Sequence, residues 1–231
     1  HVHRLSMFFH ALRLKLTALA PAGDIPQVVI LTPGAYSETY FEHAYLANYL
    51  GYPLVQGSDL TVRNGHVWMK SLDGLKRVDI ILRRVDDHYC DAVELQADSR
   101  LGVPGLLEVV RAGGVVVVNP LGSGVLENPA LLKYLPVIAK FYFGREPRLR
   151  AAETFWCGDA GDRAHVLANL ERLIIKPVFR GLDYCSVFGS ELNAEDRARW
   201  RQKLLAEPLL YVAQSYRAPA RSPAWKDGQL L

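Results

Sequence analysis

Apolar residues fall in two kinds of pattern along this chain, and the patterns alternate. Val28–Leu31 and Val115–Val118 are unbroken apolar runs, as expected of strands buried on both faces. Between and around them the apolar positions recur three or four apart. Phe41, Ala44, Leu46, Ala47 and Leu50 predict a helix with Ser37 as its N-cap and Gly51 ending it in the left-handed conformation. Pro104 opens a helix that Gly113-Gly114 closes, and Asn128-Pro129 opens another carrying Leu131, Leu132, Leu135, Ile138 and Phe141 up to Gly144. Pro53 to Gln56 and Val78 to Val85 read as further strands. Thr61 to Lys70 hold Asn64-Gly65 between alternating segments, a strong hairpin signal.

Residues 25–144 therefore alternate strand and helix with one hairpin inserted. That order predicts an α/β fold, a Rossmann-like and mostly parallel sheet. After it the character changes. Arg145, Pro147, Arg148 and Arg150 replace the apolar pattern and suggest a boundary near 150. Beyond it, Ala164 to Leu173 predict a helix and Leu173 to Val178 a strand. A helix capped by Asn193 runs through Leu205, and a strand covers Tyr211 to Tyr216. The expected division is 1–24 as an amphipathic helix and linker, 25–150 as the parallel-sheet domain, and 151–231 as a partial α+β lobe. In the first segment Leu5, Phe8, Phe9, Leu12, Leu16 and Leu19 form the apolar stripe, and Pro-Ala-Gly-Asp at 21–24 the linker. Ala18-Leu19-Ala20 imitates a signal-peptidase site, but Arg13 and Lys15 interrupt the apolar stretch that a signal peptide needs.

Composition narrows the classes. Half of the 231 residues are hydrophobic, enough for one large core or two modest ones. A formal charge of +3, spread along the chain, argues against a nucleic-acid surface. No apolar run reaches the length of a membrane span, so no membrane partner is expected. Cys90, Cys157 and Cys185 are odd in number and follow no metal-ligand spacing, which fits a reducing, cytoplasmic setting. The chain opens at His1 without an initiator Met and stops at Leu231, shortly after a turn-like Lys226-Asp227-Gly228, so both ends are expected to be cuts.

Several residues could carry chemistry. Lys176 interrupts the apolar run Leu173-Ile174-Ile175-Lys176-Pro177-Val178, and an unpaired ammonium is expensive to bury. Its partner could be a nucleotide phosphate, a carboxylate or the exposed edge of a sheet. Gly122-Ser123-Gly124 follows a predicted parallel strand at the end where ligands gather, and reads equally as a tight turn. Arg83, Arg84, Asp86 and Asp87 cluster at another strand end, able to hold a carboxylate substrate or a metal, or simply one another. Glu38, Glu42 and His43 fall on the first turns of their predicted helix, where 38 and 42 share a face and could reach toward the same strand ends as substrate-binding candidates; an ordinary exposed helix start explains them equally. Metal binding by His1 and His3 would be accidental.

Taken together, Ile174-Ile175-Lys176-Pro177 and the later Tyr211-Val212-Ala213-Gln214 resemble the nucleotide-binding lysine strand and adenine hinge of ATP-grasp proteins. Thr32-Pro33-Gly34-Ala35-Tyr36, Tyr40-Phe41-Glu42-His43, Arg83-Arg84-Val85-Asp86-Asp87 and Leu101-Gly102-Val103-Pro104-Gly105 are similar to the bacterial circularly permuted ATP-grasp family, related to glutathionylspermidine synthase. The resemblance runs from about Pro26 to Trp225. It implies a pre-ATP-grasp-like domain over 25–150 and part of an ATP-grasp lobe after it, with Lys176 on the nucleotide phosphates and main-chain groups of Gln214, Ser215 and Tyr216 on adenine. It also raises Gly122, Ser123 and Gly124 as nucleotide-binding candidates and implies ATP and Mg2+ as cofactors, a small-molecule or peptide substrate, and ATP-dependent carboxylate–amine ligation. Two features depart from the pattern. The loop after Lys176 has a single glycine, Gly181, and Pro129 stands where a second phosphate lysine is sought, with Lys133 nearby. The family's metal-binding carboxylates and Asn belong upstream of Pro33-Gly34 and are not expected within this chain. A partner chain or further segments would complete catalysis; alternatively, the chain is a binding or scaffold domain with a degenerate nucleotide site.

Overall fold

A computed structural model describes residues 5–20, 25–179, 185–218 and 223–230. The linker at 21–24, the loop at 180–184 with Gly181, and His1 and His3 lie outside these residues. The chain divides into two compact units, His1–Gly124 and Val125–Leu231.

The first unit begins with helix α1 (Ser6–Thr17), which buries Phe9 and Leu16 against Ile30, Ala47 and Leu50. Strand β1 (Val28–Leu31) is buried at all four positions. Helix α2 (Tyr40–Leu50) ends at Gly51, whose φ of +72° is the expected left-handed cap. It starts later than the sequence suggests: Thr39 is its N-cap, and the Ser37 hydroxyl accepts from Thr39 N–H ahead of the helix. Strand β2 (Leu54–Val55) then leads into β3 (Leu60–Arg63), β4 (His66–Ser71) and β5 (Gly74–Val78), a separate antiparallel meander. Asn64 (φ +52°) and Gly65 (φ +72°) form the hairpin turn between β3 and β4, and the pattern asked for just that.

Strand β6 (Ile80–Arg83), helix α3 (Leu106–Arg111) and strand β7 (Val116–Val118) complete the unit. The sheet order is β2-β1-β6-β7 with every pair parallel, so Val28–Leu31 and the Val115–Val118 run share one sheet as predicted. The single strand expected over Val78 to Val85 is instead two strands in two sheets. Asp79 is the switch: its carboxylate accepts from Gln27 N–H, and the N–H groups of Asp79 and Ile80 both donate to the Gln27 carbonyl.

The second unit opens with helix α4 (Leu131–Phe143), which carries Pro136 in its interior and ends at Gly144, φ +64°. Strand β8 (Thr154–Trp156), helix α5 (Ala160–Ala168), strands β9 (Leu173–Pro177) and β10 (Val187–Phe188), helix α6 (Ala194–Ala206) and strand β11 (Tyr211–Ser215) follow. The sheet is antiparallel, ordered β10-β9-β11-β8. Its core joins Leu173, Ile175, Tyr211 and Ala213 to Val166, Leu170 and Leu204. Helix α5 begins and ends earlier than the pattern predicts, because the Asp159 carboxylate caps it by accepting from Asp162 N–H. Asn193 caps α6 as expected. A terminal hairpin of β12 (Trp225–Lys226) and β13 (Gln229–Leu230) turns at Asp227-Gly228. Helix α4 falls in the second unit, where its Lys133 is ion-paired to Asp159 and Asp162 at the start of α5.

Candidate nucleotide and substrate sites

In a parallel sheet the strand carboxyl ends share one edge, where loops can converge on a ligand. At this edge of the first unit the structure joins two sets of residues that the sequence kept apart. The Arg83 guanidinium, at the end of β6, is ion-paired to Asp87 and donates to the Ser123 hydroxyl (3.1 Å), the Asn119 carbonyl (3.1 Å) and the Val85 carbonyl. Asp87 in turn accepts from Gly122 N–H (3.1 Å) and Gly124 N–H (2.8 Å). Two amides of a Gly-Ser-Gly turn make a ready anion-binding concavity, and here the anion is the protein's own carboxylate. A Cβ on Gly124 would stand 3.0 Å from that oxygen, so glycine suits the close approach. Arg83, Asp87 and Gly122–Gly124 therefore tie the β7 loop to the end of β6. Arg84 and Asp86 stay exposed, and neither has an ion-pair partner among the described residues.

His43 is buried beside this edge. Its Nδ1 lies 2.9 Å from the Thr32 hydroxyl and its Nε2 lies 3.0 Å from the Thr39 hydroxyl, which clips the loop 33–39 to the end of β1. Burial lowers its pKa below the ordinary histidine value; the Arg84 charge lowers it further, and Glu42 opposes both. Glu42 is on the first turn of α2, while Glu38 lies ahead of the helix, so the shared helical face expected for them does not form. Sequence reasoning missed Asp91. This fully buried carboxylate accepts from Val93, Gly105 and Leu107 N–H groups, and those bonds hold its pKa low despite burial.

In the second unit, strand alternation sorts the sheet into two faces. Leu173, Ile175, Tyr211 and Ala213 point into the core. Paired residues on antiparallel strands share a face, so the opposite face carries two rows: Phe188, Ile174, Gln214 and Thr154, then Lys176, Val212 and Trp156. Lys176 is half-buried, and no carboxylate pairs with it among the described residues. The Phe188 and Tyr216 rings meet edge to face with centroids 6.2 Å apart, which adds an aromatic wall near the same rows. Phe188 was invisible in the sequence because β10 has only two residues. The Gln214 side chain is spent inside the sheet, donating to the Thr154 hydroxyl (3.0 Å). Ser215 N–H donates to the Glu153 carbonyl and Tyr216 N–H to the Arg172 carbonyl. Lys133, the nearest stand-in for a second phosphate lysine, donates to Asp162 at 2.5 Å, which raises its pKa and neutralises its charge locally. Burial pushes the Cys90 and Cys157 thiols up to about 11, leaving Cys185 as the exposed cysteine.

Comparison with known proteins decides the lineage. The whole chain, residues 1–231, matches the family described as circularly permuted ATP-grasp type 2. It belongs to that family. It is similar to an uncharacterised Mycobacterium tuberculosis protein, 46% identical over 96% of this chain and 25% of that protein's length. A second M. tuberculosis protein is 37% identical over 96% of this chain and 40% of itself. One from Synechocystis is 37% identical over 86% and 41%. This ATP-grasp chain thus spans between a quarter and about two fifths of the curated relatives it matches. The mixed architecture, a four-stranded parallel sheet followed by antiparallel strands, is consistent with the family. Among the described residues no group of three or more His, Cys, Asp or Glu is arranged to hold a metal ion, and no helix is long and apolar enough to cross a membrane.

Proposed function

We propose that this chain supplies the nucleotide-handling part of an ATP-dependent carboxylate–amine ligase, and that these 231 residues alone do not complete turnover. The observation that carries the reading is Lys176, an ammonium without a carboxylate partner among the described residues, on the sheet face that also bears Phe188. A mobile point charge beside an aromatic wall suits a triphosphate joined to a base. ATP, when bound, supplies the phosphoryl group that activates a carboxylate toward an amine. In this reading Lys176 holds phosphate oxygens, Phe188 and Tyr216 flank the base, and Gln214 stiffens the β8–β11 ladder from within. Because the Ser215 and Tyr216 N–H groups already donate to the Glu153 and Arg172 carbonyls, a free main-chain donor for adenine has to come from Arg217 onward. On the first unit, Arg84 is the cation left to face a substrate carboxylate, since Arg83 is committed to Asp87 and three further acceptors.

Among the described residues no group of three or more His, Cys, Asp or Glu is arranged to hold Mg2+. The test is ADP release from the purified chain with magnesium, amines and carboxylates, where the expected result is no release above background. Magnesium-dependent release that Lys176→Ala abolishes would contradict this and make Asp86 and Asp87 the metal-site candidates. A second reading, a binding or scaffold domain with a degenerate nucleotide site, draws support from the neutralised Lys133 and the carboxylate-filled Gly122–Gly124 turn. It predicts that ATP does not bind at all.

A further inference from the structure

Helix α4 runs thirteen residues, Leu-Leu-Lys-Tyr-Leu-Pro-Val-Ile-Ala-Lys-Phe-Tyr-Phe, and buries none of them fully. Only its two lysines are charged, while Phe141 is 81% and Phe143 73% exposed. Pro136 also removes one of the helix's own hydrogen bonds. An apolar helix left uncovered like this marks an interaction surface, not a solvated one. Beside it a cleft of about 560 Å3 opens between α4 and the segment leading to β8, with Leu132, Leu135, Pro136 and Leu149 among its walls. Around this apolar ground Lys140, Arg145, Arg148 and Arg150 are exposed, and none has an ion-pair partner among the described residues; of the carboxylates lining the cleft, Glu153 accepts from Ser215, which leaves Glu146 against four cations.

We infer that α4 and the 146–153 segment dock an amphipathic polypeptide segment, one that inserts apolar side chains into the cleft and sets acidic residues against the arginines. The concavity favours polypeptide over a lipid surface, because a bilayer has no knob to fill a cleft beneath a helix. The unpaired cations ask for carboxylates. The family has polypeptide able to supply such a segment, since its members carry most of their length outside the region matched here.

The probe is the part of the 46% identical M. tuberculosis relative that lies outside the matched region, produced separately and titrated into the 231-residue chain. Hydrogen exchange over 131–143 should slow by at least about tenfold. Phe141→Asp should abolish that protection. The pair Arg148→Glu and Arg150→Glu should weaken binding by roughly tenfold and flatten its salt dependence. All three side chains are exposed, so an unchanged thermal midpoint verifies folding. As a second measurement, the equivalent helix should exchange more slowly in the intact relative than in its isolated matched fragment. Absence of protection in both experiments overturns the inference. So does slow exchange in the chain alone that the probe leaves unchanged, which would mean the face is already covered from within. Protection that rises with the chain's own concentration would assign the face to a second copy, and equal protection by phosphatidylcholine–phosphatidylglycerol vesicles would assign it to a bilayer.

Discussion

His43 shows how much one side chain can be asked to do without announcing it. Its two hydroxyl partners fix both ring nitrogens, and burial keeps the ring neutral. Because the folded pKa is below the ordinary 6.5, the unfolded chain takes up the proton first as pH falls. The stability that His43 contributes is therefore intact above about 6.5 and is lost progressively below it, down to the folded value. Denaturant titrations at falling pH should show a steeper loss in the wild type than in His43→Asn between about pH 7 and pH 5. Equal slopes would mean that the ring is accessible and freely titrating. In the sequence His43 is a substrate-binding candidate on the first turns of a helix, or part of an ordinary exposed helix start. What the sequence hid was Thr32, eleven residues away, whose hydroxyl makes the histidine a clip.

At the scale of elements, locally encoded features were legible and those set by distant partners were not. Asn64-Gly65 specifies its own turn, Gly51 its own cap, and Asn193 its own helix start. The break at Asp79 depends on Gln27, 52 residues earlier, so Val78 to Val85 reads as one strand. Asp91 depends on Gly105 and Leu107, 14 and 16 residues later, and nothing near it in the sequence signals a buried carboxylate. Removing it leaves several buried N–H groups without an acceptor. Asp91→Ala should cost roughly 1.5–3 kcal/mol and speed exchange at the amides of Leu106–Arg111 above all. A smaller cost, or a loss spread evenly over the unit, would mean that water replaces the carboxylate.

For the whole molecule, the order of motifs carried the lineage, and neither charge nor composition could have done so. The order did not reveal how the candidates are spent. Arg83 and Asp87 are paired inward with the glycine turn, and the Gln214 side chain is locked to Thr154. Helix α4 reads as the last helix of the parallel-sheet domain, yet its Lys133 pairs with Asp159 and Asp162 at the start of α5. Lys176 keeps no carboxylate partner among the described residues, and the proposed nucleotide binding rests on it. Calorimetric titration with ATP and with tripolyphosphate, on wild type, Lys176→Ala and Phe188→Ala, tests it most directly. Loss of the lysine should weaken both ligands by about ten- to a hundred-fold with little change in thermal midpoint, the scale of one charged hydrogen-bonding partner. Loss of Phe188 should weaken ATP by a few-fold to about tenfold and leave tripolyphosphate unchanged. Equal ATP affinities in all three proteins, or no binding by the wild type, would contradict the account and return Lys176 to a structural role.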